Sequence, residues 1–165
     1  MSQLSLPIFP PINPTDKLTT LELKDGTAIQ GYSFGADVPT AGELVFQTGM
    51  VGYPESITDP SYQGQVLVVT FPLVGNYGVP SRTEPDPIVK DLPKYFESNK
   101  IHVAGLVVAS YTEEYSHYLA ESSLGQWLKE QNIPAIYGVD TRSLTQLIRN
   151  NGSTLCRILT RKDGV

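Results

Sequence analysis

The sequence is poor in the residues on which independent chemistry usually rests. It has one cysteine, Cys156, among 165 residues, which excludes an intrachain disulfide and any thiolate-rich zinc site. Two histidines, His102 and His117, leave little from which to build a metal centre. Charged side chains make up 18% of the chain, against about 25% in an average soluble domain. Twelve basic residues face seventeen acidic ones, for a net charge of −5 with a single tryptophan, a poor footprint for nucleic acid. The most apolar run, Val103 to Ala109, is seven residues long and contains a glycine, far short of the ~20 a transmembrane helix needs. The N-terminus has neither a basic patch nor a long apolar stretch, so no secretory signal is expected there. A reducing, cytoplasmic location is the expectation.

What is present suits one folded domain. Hydrophobic residues make up 40% of the chain, enough for a core and too many for intrinsic disorder. Fourteen glycines and thirteen prolines imply many turns between short elements. Residues 1–16 hold four prolines without periodicity and read as a disordered, extended tail, with structure beginning near Lys17. Leu18 to Leu23 reads as a strand, Asp25-Gly26 as a hairpin turn, and Thr27 to Phe34 as the return strand. Glu43 to Gly49 is a further strand. Gln65 to Phe71 and Ile101 to Ala109 are apolar on both faces, as strands covered on both sides would be. Gly78 to Pro87, with three prolines, reads as a surface loop, and Lys90 to Ser98 as a short helix broken by Pro93.

The period then changes. Leu124, Trp127 and Leu128 recur at helical spacing behind a Ser123/Gln126 capping pair. Leu144, Leu147 and Ile148 repeat that spacing between Asp140-Thr141 and a closing Gly152. Short strands at Ala135 to Val139 and Leu155 to Thr160 complete the pattern. Strands first, then helices alternating with strands, predict an α/β or α+β domain of layered sheets with a few covering helices.

Catalytic signatures are missing. There is no G-x-G-x-x-G, no P-loop, and no G-x-S-x-G or G-x-C-x-G elbow. Cys156 reads as a buried, inert thiol at a strand start. His102 reads as a packed, hydrogen-bonded core residue. His117 reads as a surface or interface residue whose acidic neighbours raise its pKa, and Glu113-Glu114 as a solvated loop. One region stands apart. Gly49 to Gly64 (GMVGYPESITDPSYQG) packs three glycines, two prolines and several polar side chains between two buried strands. Asp59-Pro60-Ser61-Tyr62 within it reads as a type I turn, with Asp at i and Pro at i+1. Such a turn would offer a hydroxyl and free backbone N–H groups to a small polar ligand, or merely connect two strands. Phe71 to Gly78 (FPLVGNYG) is a second glycine-rich region that permits close backbone approach.

The run ELVFQTGMVGYPESITDPSYQGQVLVVTFPLVGNYGVP resembles the N-terminal domain of the glutaminase small subunit of carbamoyl phosphate synthetase. IHVAGLVVASY and SLGQWLKEQNIPAIYGVDTRSLTQLIRNNGS continue the resemblance in order, from roughly Leu18 to Leu159. The wording is most similar to the eukaryotic multifunctional pyrimidine-pathway proteins, the fungal ones in particular. The resemblance implies a swivelling β/β/α-type domain at residues 17–165, mainly β in its first half and helical in its second. It implies that the Cys-His-Glu nucleophile lies in a class I amidotransferase domain not contained in these residues, so this chain holds no catalytic residue, metal or cofactor. ATP, bicarbonate and Mg would be used by the synthetase part. The expected partners are the amidotransferase and synthetase domains of the parent protein and L-glutamine. Ser61, in the T-D-P-S-Y turn, would bind glutamine from across the domain boundary. Gly49, Met50 and Asp59 would lie on the ammonia path or interface. The alternative is a docking module without a ligand of its own; a free-standing enzyme using Cys156 is a third, weaker reading.

Overall fold

The computed structural model describes residues 4–48, 56–70, 79–80, 88, 100–111 and 120–160. Strands come first: β1 (Leu4–Ser5), β2 (Leu18–Leu23), β3 (Ala28–Ser33), β4 (Thr40–Gln47), β5 (Gln65–Val69), the short β6 (Val79–Pro80) and β7 (Gly105–Val108). A short β8 (Ala120–Ser122) leads to helix α1 (Leu124–Glu130), then β9 (Ala135–Tyr137), helix α2 (Thr141–Asn151) and β10 (Thr154–Thr160). The mixed α/β character and the strand-then-helix order expected from the sequence are both found.

Among the described residues the main sheet runs β1-β3-β2-β10-β4-β5-β7-β9, and β3 also pairs with β9. The sheet therefore closes on itself. One half, β3-β2-β10-β4, is antiparallel; the other, β4-β5-β7-β9, is parallel. The two halves face each other across one core, and α1 covers the outer side of the parallel half, giving three layers. Alternation along the strands assigns side chains to layers. Val66 and Val68 of β5 and Val107 of β7 join Leu21, Leu23, Ile29, Leu44, Cys156 and Ile158 inside, where Leu144 and Ile148 of α2 complete the cluster. Leu67, Val69, Leu106 and Val108 point the other way, into a second core with Phe34, Tyr111, Trp127 and Leu128. That explains why these two strands read as apolar on both faces.

Helix ends follow the local chemistry. Ser123 Oγ accepts from Gln126 N at 3.1 Å and caps α1. Asp140 accepts from the backbone N of Ser143 at 3.1 Å and from its hydroxyl at 2.8 Å, capping α2. Those two bonds hold the Asp140 carboxyl below the usual carboxylate range. Gly152, at φ 77°, ends α2. Between β2 and β3, Asp25 Oδ1 accepts from Thr27 N and Gly26 has φ 95°, as the hairpin turn requires.

Several boundaries move. The 101–109 strand shrinks to Gly105–Val108 because its pairing with β5 begins only at Val66–Gly105. Ahead of that point the backbone bonds elsewhere: Ile101 N to Gln131 Oε1 and His102 N to the Ile57 carbonyl, both at 2.8 Å. His102 thus lies outside the strand, and among the described residues its buried Nδ1 has no hydrogen-bond partner. Order also begins earlier than Lys17. β1 pairs with β3, Ile8 N donates to the Gly138 carbonyl at 2.9 Å, and Ile12 N donates to the Tyr137 hydroxyl at 2.8 Å. The Tyr137 hydroxyl in turn donates to Asp16. Prolines make this segment extended; the N–H groups of Ile8 and Ile12 find acceptors beside the β3/β9 seam, while those of Asn13 and Asp16 bond within the segment. β6 and β8 form a separate two-stranded ribbon. The helix expected at Lys90 to Ser98, residues 71–78, His117 and Glu113-Glu114 all lie outside the described residues.

Candidate functional site

The turn singled out in the sequence sits at the entrance to β5 as a 3-10 turn over Pro60–Tyr62. Pro60 supplies a preset φ at the first position. Tyr62 N donates to the Asp59 carbonyl and Gln63 N to the Pro60 carbonyl, each at 3.1 Å, so the expected i→i+3 bond is present and repeats once. Asp59 Oδ1 accepts from Ser61 N at 2.9 Å. The backbone N–H groups of residues 61–63 are consequently all engaged inside the turn. They are not free for a ligand, contrary to the sequence reading, because an Asx cap and two successive turns use them. What the turn offers outward is the hydroxyl of exposed Ser61 and the side chain of exposed Gln63.

The support beneath is rigid. Ile57 is fully buried and Thr58 nearly so. The Ile57 carbonyl accepts from His102 N, Asp59 N donates to the Ser56 carbonyl, and Tyr62 packs against the α1-side core. Ile57 and Tyr62 therefore pin the turn from either side, with Ser61 between them on the outside. Sequence reasoning missed these anchors, although an apolar residue three before Pro60 and an aromatic two after it were the signal. Gly64, at φ 76°, turns the chain into β5. Its carbonyl lies 2.4 Å from where a β carbon on Gly42 would stand, so only glycine at 42 lets β4 run under the turn. Of the four residues the resemblance points to, Asp59 and Ser61 come together here, joined by a hydrogen bond. Gly49 and Met50 lie outside the described residues.

The nucleophile of the free-standing enzyme reading, Cys156, is disposed of by burial. Cys156 faces the closed core among Leu21, Leu44 and Ile158, and desolvation pushes its thiol up to about 12. At neutral pH it is a protonated, inert packing group. A raised pKa means the stability it contributes is complete below the unfolded value and is lost as pH rises towards the folded one. With an ordinary value of 9.0, the chain should lose about 1.4 kcal/mol between pH 8 and pH 10 through this residue. Urea unfolding at the two pH values checks it: Cys156→Ala should remove that part of the slope, and an unchanged slope would refute the assignment. The Tyr137 hydroxyl, raised by burial and by its bond to Asp16, contributes only at higher pH.

Residues 21–158 match the family described as carbamoyl-phosphate synthase small chain, CPSase domain. Multifunctional protein URA2 of Saccharomyces cerevisiae is 67% identical over 159 residues, covering 96% of this chain and 7% of that protein. Multifunctional protein pyr-3 of Neurospora crassa is 69% identical over 151 residues, 91% of this chain and 8% of its own length. The human mitochondrial carbamoyl-phosphate synthase [ammonia] is 54% identical over 136 residues, 82% of this chain and 9% of that protein. This chain thus spans less than a tenth of each of these relatives. Among the described residues no helix is long and apolar enough to cross a membrane. With the family's match running over the closed sheet, the Asp59–Ser61 turn and both helices, the chain belongs to the carbamoyl-phosphate synthase small chain family, as its CPSase domain.

Proposed function

We propose that this domain is the non-nucleophilic half of the glutaminase component of a glutamine-dependent carbamoyl phosphate synthetase, acting at the first step of pyrimidine biosynthesis. In this reading a class I amidotransferase domain hydrolyses glutamine, and the synthetase part uses the ammonia with bicarbonate and ATP. This domain completes the glutamine site with Ser61 and docks both partners. The observation that carries the reading is the exposed Ser61 hydroxyl on a turn whose N–H groups, flanking anchors and proline are already fixed. A preorganised group loses little entropy when a ligand meets it. A reducing, cytoplasmic compartment suits the free thiol at Cys156.

A neutral hydroxyl–amide hydrogen bond is worth about 0.5–1.5 kcal/mol net. Ser61→Ala in the full-length parent enzyme should therefore raise KM for glutamine roughly two- to thirteenfold. Synthesis from supplied ammonia should stay unchanged, since it bypasses glutamine. Steady-state kinetics with each nitrogen donor decide it; equal losses with both would favour a pure docking module. Asp59 is a poor probe of an ammonia path, because its carboxylate holds the Ser61 N–H. A charge reversal there would disturb the turn and the glutamine contact together.

A further inference from the structure

Away from the Ser61 turn, the C-terminal ends of β4 and β5 meet one face of α2. Between them lies a recess of about 230 Å³ lined, among the described residues, by Thr48, Thr70, Arg142, Thr145, Gln146 and Arg149. The four helix residues fall at i, i+3, i+4 and i+7, a single face. Arg142 and Arg149 stand about 10.5 Å apart along the axis, within reach of a common group for two side chains of this length. The Arg149 guanidinium lies 5.2 Å from the centre of the Phe46 ring, a contact that steers this exposed side chain back over the sheet.

Hydrogen-bond accounting shows what the recess can offer. The Thr70 hydroxyl donates to the Gln47 carbonyl at 3.0 Å and the Thr145 hydroxyl to the Thr141 carbonyl at 2.7 Å, so their protons are engaged. The remaining donors are two guanidiniums, the Gln146 amide and the Thr48 hydroxyl. Among the described residues the ion pairs are Lys17–Asp37 and Arg157–Glu22; neither recess arginine belongs to one. Asp140, the acid at the start of the helix, accepts two hydrogen bonds from Ser143 and attracts Arg142 from the end of the helix, outside the recess lining. No carboxylate lines the described walls. In a chain of net charge −5, this is a concentrated donor-rich, cationic site. It also opens where α/β sheets receive ligands, outside the carboxyl ends of parallel strands.

We propose that this recess binds a small oxyanion, a phosphate or carboxylate group held between Arg142 and Arg149 with Gln146 and Thr48 as further donors. Planar guanidiniums match such groups with paired hydrogen bonds. The volume is below the ~300–1,000 Å³ of drug-sized pockets, which suits the anionic group itself rather than a nucleotide base. The site shares no residue with the Ser61 turn, so it stands or falls independently of the glutamine reading.

The test is titration of the 165-residue chain with inorganic phosphate, acetate and chloride at matched ionic strength, followed by isothermal calorimetry and amide NMR shifts. Saturable binding is expected, with shifts at Thr48 and residues 142–149. Arg142→Gln and Arg149→Gln should each weaken it ~10-fold or more, as loss of a charged hydrogen-bond donor does. Arg157→Gln, which removes a paired arginine on another face, should leave it unchanged. Saturation by phosphate alone assigns a phosphate-bearing ligand; saturation by acetate assigns a carboxylate, such as an acidic side chain. Circular dichroism checks that the variants fold, and Gln146→Leu at an exposed position carries the same expectation with a smaller loss of ~3-fold. A linear response to all three salts, or equal weakening by Arg157→Gln, would overturn the proposal.

Discussion

Replacing Trp127 by alanine is expected to destabilise the chain by about 3–5 kcal/mol, the usual loss for emptying a buried tryptophan site. The side chain is 2% exposed and shares its cluster with Phe34, Leu67, Val69, Leu106, Val108, Tyr111, Leu124, Leu128 and Tyr137. α1 has only seven residues, too few to hold helical structure without packing. Its place on the parallel strands rests on Trp127, Leu124 and Leu128. Urea unfolding followed by far-ultraviolet circular dichroism is the measurement, since the variant loses the chain's single tryptophan signal. The midpoint should fall with little change in slope. Trp127→Phe, which keeps part of the apolar volume, should recover much of the loss. A change below about 1 kcal/mol would mean that the helix contributes little to this core.

Gly31→Ala should be nearly as damaging for the opposite reason, too much matter rather than too little. A β carbon there would lie 2.3 Å from the Tyr137 carbonyl oxygen and 2.7 Å from Ile136 Cγ1. The obstacle is backbone, which cannot rotate away. Gly31 sits on β3 beside the two pairs, Tyr32–Tyr137 and Ser33–Ile136, that close the sheet against β9. Overpacking costs typically 1–3 kcal/mol and more when nothing can yield, so about 3 kcal/mol is expected. Hydrogen exchange adds a local readout: the β3 and β9 amides should lose protection before those of β4 and β5. Gly152→Ala is the control, because the space around Gly152 is open and only its φ of 77° strains the substitution. It should cost about 1–2 kcal/mol, from backbone strain alone. Equal losses for both variants would show that closure at Gly31 is not the tight point.

Features that rest on neighbours in the chain were legible in advance. Ser123 and Asp140 cap their helices because a side-chain oxygen meets an N–H three residues on. Asp25-Gly26 turns its hairpin for an equally local reason, as do Pro60 and Asp59 around Ser61. The apolar character of Val66–Val69 and Leu106–Val108 announced strands covered on both faces, and the cores on either side bear that out. Even so, the turn was over-read: a sequence shows which N–H groups exist but not that Asp59 Oδ1 takes that of Ser61.

Sequence by itself determined the types of the longer elements, the helix ends, the inert placement of Cys156 on the buried face of an alternating strand and the exposure of a serine on a proline-set turn; the short strands β1, β6 and β8 carried no such signal. The features so determined depend on contacts within a few residues or on side-chain polarity alone. Tertiary structure decided the partners. β10 inserts between β2 and β4, bringing Arg157 2.8 Å from Glu22 across 135 residues. β9 returns to β3, β1 pairs with the start of β3, and Ile8 and Ile12 bond to Gly138 and Tyr137 beside the seam. The Thr48–Arg142–Arg149 recess likewise exists only because β4, β5 and α2 converge. Pairing at such separations is chosen by global burial and hydrogen-bond completion, and strand sequences of similar apolar character satisfy many pairings equally well until the whole sheet closes.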